Sequence, residues 1–119
     1  MRPVAVAVAM VLASAMSVGC GGGLSTAKSD YRKGRVAEAK DELVRLEPQS
    51  RGWSNPRRAE YALYRGLAHH SLGDRASAGV WLNEAKALED AQPRTLAEDD
   101  RVRLKLALES LASGTASSP

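Results

Sequence analysis

The chain has 119 residues, a formal net charge of +3, a single cysteine and no phenylalanine. One cysteine excludes an internal disulfide, so hydrophobic packing must hold the fold, and the length suits one small domain. Basic and acidic side chains interleave as on a solvated helical surface, and so weak a net charge argues against a nucleic-acid binder.

Arg2 precedes the run VAVAVAMVLASAMSV, Val4 to Val18, which carries no charge. A positive start, an apolar centre and then small residues are the anatomy of a secretory signal. At about 15 residues the run falls short of the roughly 20 that an α-helix needs to cross a bilayer. A signal peptide over residues 1–19 is therefore expected, and no permanent span. Ser17-Val18-Gly19-Cys20 resembles the lipobox of bacterial lipoproteins, whose cysteine is acylated and becomes the new N-terminus. The resemblance implies a lipidated Cys20, a short tether over residues 20–23, and a protein held at a membrane of the bacterial cell envelope. Gly21 is not the aspartate that retains many such lipoproteins at the inner membrane, which implies the periplasmic side of the outer one. Ala13-Ser14-Ala15 offers the rival, an ordinary signal-peptidase site. Cleavage there would release a secreted soluble protein with a free thiol at Cys20.

Beyond residue 20 the chain is rich in Leu, Ala, Arg, Glu and Lys, all good helix formers, and lacks an alternating β-branched run. An all-α fold is expected, with helices near 24–33, 36–46, 56–72, 75–90 and 96–112. Gly73 can end a helix in the left-handed conformation, and Asp74 can cap the next. Asn55 before Pro56 reads as another start, and Thr95-Leu96-Ala97-Glu98 as a capping box. In the fifth helix Leu104, Ala107, Leu108 and Leu111 form the main apolar stripe, while Val102 and Leu106 project from another side. That second side could receive a partner or a second copy of the chain. Residues 113–119, SGTASSP, should fray.

Sliding the chain by 39 residues aligns Leu24 with Leu63, Gly34 with Gly73, Ala37 with Ala76, Ala39 with Ala78 and Leu43 with Leu82. Small residues recur at Ala27, Gly34 and Ala39, and at Gly66, Gly73, Ala78 and Ala85. The pattern resembles the tetratricopeptide (TPR) helix–turn–helix repeat, whose period is 34; the extra residues are assigned to a loop, EPQSRGWSN. The resemblance implies antiparallel helical hairpins stacked as a short solenoid over residues 24–112, about two repeats and a C-terminal capping helix. Small side chains at Gly66 and Ala78 would let helices approach closely.

Residues that could carry chemistry are sparse. His69 and His70 point about 100° apart on a helix and cannot share a metal. Glu98-Asp99-Asp100 suits the positive end of a helix dipole. Ser25, Ser29 and Ser71 have no nucleophile-elbow context, and Gly21-Gly22-Gly23 is no phosphate loop. No enzyme, cofactor or metal is expected. Arg57, Arg58 and Arg65 form the densest basic group, read as a solvated face, with anionic headgroups or an acidic protein as alternatives. Trp53 should pack over a helix start, and Trp81 belongs to core or interface.

TPR proteins bind peptides or partner segments on a concave face lined by the first helix of each pair. Carried over by position, that face would hold Leu24, Lys28, Tyr31 and Arg32, then Glu60, Leu63, Leu67 and His70. The family's lysine–asparagine clamp for carboxylate termini is not matched. The expected function is a lipid-anchored adaptor that scaffolds or helps assemble an envelope complex. An accessory regulator of a cell-wall enzyme, or the released soluble form, are the alternatives.

Overall fold

Leucine and alanine at helical spacing give the helices apolar sides that meet in one core. A computed structural model describes residues 23–116; the expected signal segment, the expected lipidation at Cys20 and most of the expected tether lie outside them. The five helices are α1 (Gly23–Arg32), α2 (Val36–Ser50), α3 (Asn55–Ser71), α4 (Arg75–Ala91) and α5 (Glu98–Ala116). They form a compact all-α bundle, and none is long and apolar enough to cross a membrane.

Helix α3 is the axis of the bundle and packs against each of the other four. Its burial runs unbroken from Tyr61 to His69, as a helix enclosed on several sides requires. Leu24 and Ala27 of α1, Leu43 and Leu46 of α2, Leu82 and Ala85 of α4, and Leu104 and Ala107 of α5 close around it.

The turns α1–α2 and α3–α4 are built alike, 39 residues apart. Gly34 and Gly73 take φ of 86° and 85°, the left-handed region that glycine enters without steric cost. Gly34 N–H donates to the Tyr31 carbonyl at 3.1 Å, and Gly73 N–H to that of His70 at 3.0 Å. Arg35 N–H donates to the Asp30 carbonyl at 2.8 Å, and Asp74 N–H to that of His69 at 2.9 Å. Gly66 permits a close approach between α3 and α4. A Cβ there would lie 2.6 Å from Leu82 Cγ, so the contact falls on Leu82 of α4 rather than on Ala78.

Several boundaries differ from the expected ones. Helix α2 runs on to Ser50 with Pro48 inside it, so part of the supposed loop is helical. Proline there removes one backbone donor in a last turn, and Ser50 Oγ donates to the Glu47 carbonyl at 2.7 Å. The capping box does not form. Thr95 Oγ1 donates back to the Gln92 carbonyl, and α5 begins only at Glu98. Glu89 holds the preceding loop instead, accepting from Arg94 N–H and Leu96 N–H at 2.8 Å each. At its far end α5 continues past residue 112 to Ala116, and just before this extension Arg75 Nη2 donates to the Leu111 carbonyl at 2.5 Å. Val102 and Leu106 of α5 do face outwards, 53% and 59% exposed.

Candidate interaction face

One side of α3 is shared with α1 and α5, and a line of polar groups crosses all three. Lys28 of α1 pairs with Glu60 of α3. One turn further on, Arg32 Nη2 donates to the Tyr64 hydroxyl at 3.0 Å. That hydroxyl donates in turn to Asp100 Oδ1 of α5 at 2.9 Å. Asp100 also accepts from Arg103 Nη1 at 3.0 Å, and Arg103 reaches Asp99 at 2.9 Å. Tyr31 meets the Tyr64 ring edge-on, with centroids 5.7 Å apart. Tyr64 is fully buried, and burial, with the bond to Asp100 next, pushes its hydroxyl up to about 12. It stays neutral, free to donate and accept at once.

Four of the eight residues expected on a binding face gather on this side or beside it: Lys28, Tyr31, Arg32 and Glu60. His70 lies at the far end, half-buried, with Nε2 3.3 Å from Ser110 Oγ of α5. Leu24, Leu63 and Leu67 turn into the core, 3%, 0% and 6% exposed, and leave nothing for a partner to touch. The polar line along α3 follows Glu60 and the buried Tyr64 hydroxyl, a spacing of four, while Leu63 is rotated by one residue, about 100°, from Tyr64. Tyr64, Asp100 and Arg103 are the members of this polar line that the sequence did not assign to the expected face. Their signals were the Glu60–Tyr64 spacing and the Asp100–Arg103 charge pair at i, i+3.

A second cluster fills the side of α3 towards α2 and α4. Tyr61 lies edge-on between Trp53 and Trp81, with centroids 5.8 and 5.6 Å away, and its hydroxyl donates to the Leu43 carbonyl at 2.5 Å. Arg65 does not belong to a solvated face. It is 9% exposed, stacks over Trp81 at 4.3 Å, and donates to Glu47 Oε1 at 2.6 Å and to the Tyr61 hydroxyl at 3.0 Å. The Arg65 hydrogen bond is the main reason why the Glu47 carboxyl is held below its usual range. Arg65 Nε also donates to His69 Nε2 at 3.4 Å, which leaves the His69 proton on Nδ1, 3.6 Å from Asp74. Burial, and then the Arg65 charge, pull the His69 value down. Beside the cluster is a cleft of about 280 Å³ walled by Tyr61, Trp81 and Val80, its rim formed by the pairs Arg51–Glu47 and Arg58–Glu84.

Arg57, Arg58 and Arg65 thus part company: Arg57 covers the Trp53 ring at 4.2 Å, Arg58 reaches Glu84 at 3.4 Å, and Arg65 is inside. Trp53 packs against the start of α3, as its position before Asn55 suggested. Among the described residues no three His, Cys, Asp or Glu side chains gather as a metal site. No family model, curated protein or solved structure matches the chain.

Proposed function

We propose that the chain is a TPR-like protein–protein interaction adaptor of the bacterial cell envelope, anchored through lipid on Cys20, which holds its partner on the side shared by α1, α3 and α5. The observation that carries this reading is the pair of turns with matched φ and matched backbone bonds, 39 residues apart. Hairpins built to one plan can stack, and stacked hairpins bring every first helix to one surface. That surface carries alternating charge from Lys28, Arg32, Glu60 and Arg103 and suits a segment bearing both signs. An incoming carboxylate can take over Arg32 or Lys28, and an incoming cation Glu60, so pairs are exchanged rather than stranded.

The test is photo-crosslinking in the native host. A crosslinker at Ser25 should capture one envelope protein, and Lys28→Glu with Arg32→Glu should release it. Capture from Val44, on the outer side of α2, with none from Ser25 would refute the assignment of the face. The identity of the captured protein also separates a scaffold from a regulator of a cell-wall enzyme.

The released form with a free thiol at Cys20 is the second reading. It is favoured by the way the helices from Gly23 onward bury their apolar sides against one another and need no bilayer to do so. Intact mass decides between them. An acylated chain beginning at Cys20 supports the anchor, and an unmodified chain beginning at Met16 overturns it.

A further inference from the structure

Residues 51–58, RGWSNPRR, hold three arginines and a tryptophan with no carboxylate among them. The fold puts this segment at the end of the bundle where α1 begins. A Cβ on Gly23 would lie 3.9 Å from Leu46 Cδ2, so the start of α1 is level with Leu46. From there α2 climbs at about 1.5 Å per residue to Ser50, and the loop that follows stands roughly 6–8 Å beyond Gly23. The three residue steps from Cys20 to Gly23 span at most about 10 Å. Loop and sulfur can therefore reach the same plane.

We propose that this end of the bundle is a membrane-facing surface that rests on anionic lipid headgroups through the Arg51–Ser54 loop and the first turn of α3. The inference takes from the proposed function only the anchor at Cys20. Trp53 is half-buried against Tyr61, and the Arg57 guanidinium lies over its ring at 4.2 Å. An indole with a cation beside it matches the boundary between headgroups and water, where tryptophan is enriched. Arg57 has no carboxylate in ion-pair distance among the described residues, while Arg51 pairs at 3.2 Å with half-buried Glu47, which also takes Arg65, and Arg58 at 3.4 Å with Glu84. The α4–α5 loop comes to the same end, since Thr95, Leu96 and Ala97 border a cleft with Ser54 and Arg57. It adds Arg94 and Arg101, the latter donating to the Leu96 carbonyl at 2.9 Å, and the carboxylates Glu89 and Glu98, so that Arg57, Arg94 and Arg101 stand against Glu89 and Glu98 as the charges of this end outside ion pairs. The opposite tip of the first hairpin, Lys33 to Arg35, is basic too. It stands a whole α1 length away, about 15 Å, so it is the tether and not charge alone that selects between the two.

The experiment couples residues 20–119 through the Cys20 thiol to a maleimide lipid in vesicles, of phosphatidylcholine alone or with one third phosphatidylglycerol. Hydrogen exchange is then followed by mass spectrometry. On the anionic vesicles the 51–58 segment should exchange several-fold more slowly than on neutral ones, with the 33–35 turn unchanged. Arg51→Glu with Arg57→Glu should abolish the difference. Equal rates on the two vesicles overturn the proposal and leave the arginines to an acidic protein, and slowing at 33–35 instead of 51–58 overturns it as well. Because the coupling supplies the tether, the result stands apart from the mass measurement that decides whether the native chain is acylated.

Discussion

The turns of the two hairpins share a backbone conformation, while the helices they join and the side chains that close them differ. In the second, Gly66 lets Leu82 come within reach of the α3 backbone; in the first, the corresponding residues are Ala27 and Leu43, both fully buried. Asp74 caps α4 by accepting from Ser77 N–H at 3.1 Å, while Arg35, with φ −87° and ψ 66°, makes no side-chain cap at all. Helix α1 has 10 residues against 17 in α3. The first hairpin therefore relies on α3 for much of its burial. Units with fewer internal contacts open at lower free energy, so α1 should be the first helix to loosen.

The comparison can be broken most severely at Gly66. Gly66→Leu places atoms where Leu82 already stands, with its backbone nitrogen 3.0 Å from the new Cβ, and should cost about 3 kcal/mol in chemical denaturation. Tyr64→Phe comes next, at about 1–3 kcal/mol. It leaves Arg32 and buried Asp100 short of a partner, and hydrogen exchange should show α1 losing protection before α4. Exchanging the caps is milder. Asp74→Ala should lower Tm by a few degrees and Arg35→Asp should raise it by less, bringing the hairpins closer together; a fall with Arg35→Asp would mean that the two turns are not equivalent.

The smallest effect is that of pH. Burial and Arg65 hold the His69 value below 6.5, so the unfolded chain binds the proton more readily. The stability it lends is full above about pH 6.5 and is lost as pH falls through the lower folded value. His69→Gln should flatten that decline in a series of thermal melts, without changing stability at pH 8 by as much as the decline itself.

Periodicity, punctuation and self-similarity made much of the fold legible. Gly73 with Asp74, Leu104 with Ala107, and the outward Val102 and Leu106 all behave as their spacing implies. What failed depended on contacts distant in sequence. Thr95-x-x-Glu98 has the form of a capping box, but Glu89 grips that loop and the threonine turns back. Pro48 reads as a break, yet a final turn tolerates it. The candidate face was half legible. Lys28, Arg32 and Glu60 follow from the hairpin pattern, but Tyr64 looks like one more aromatic core residue. Its hydroxyl gains a role from Arg32, 32 residues earlier, and Asp100, 36 residues further on. Arg65 was misread because no local pattern announces a buried guanidinium; its partner Glu47 lies 18 residues earlier on another helix.

The Tyr64 hydroxyl accepts a hydrogen bond from Arg32 of α1 and donates one to Asp100 of α5, which ties the settings of the two helices together. A ligand that drew Arg32 aside would weaken polarisation of the hydroxyl and thus its grip on Asp100. By reciprocity, anything that loosened Asp100 would alter the affinity for that ligand by the same factor. Occupancy at the first helix would in this way be felt at the last one through a single side chain.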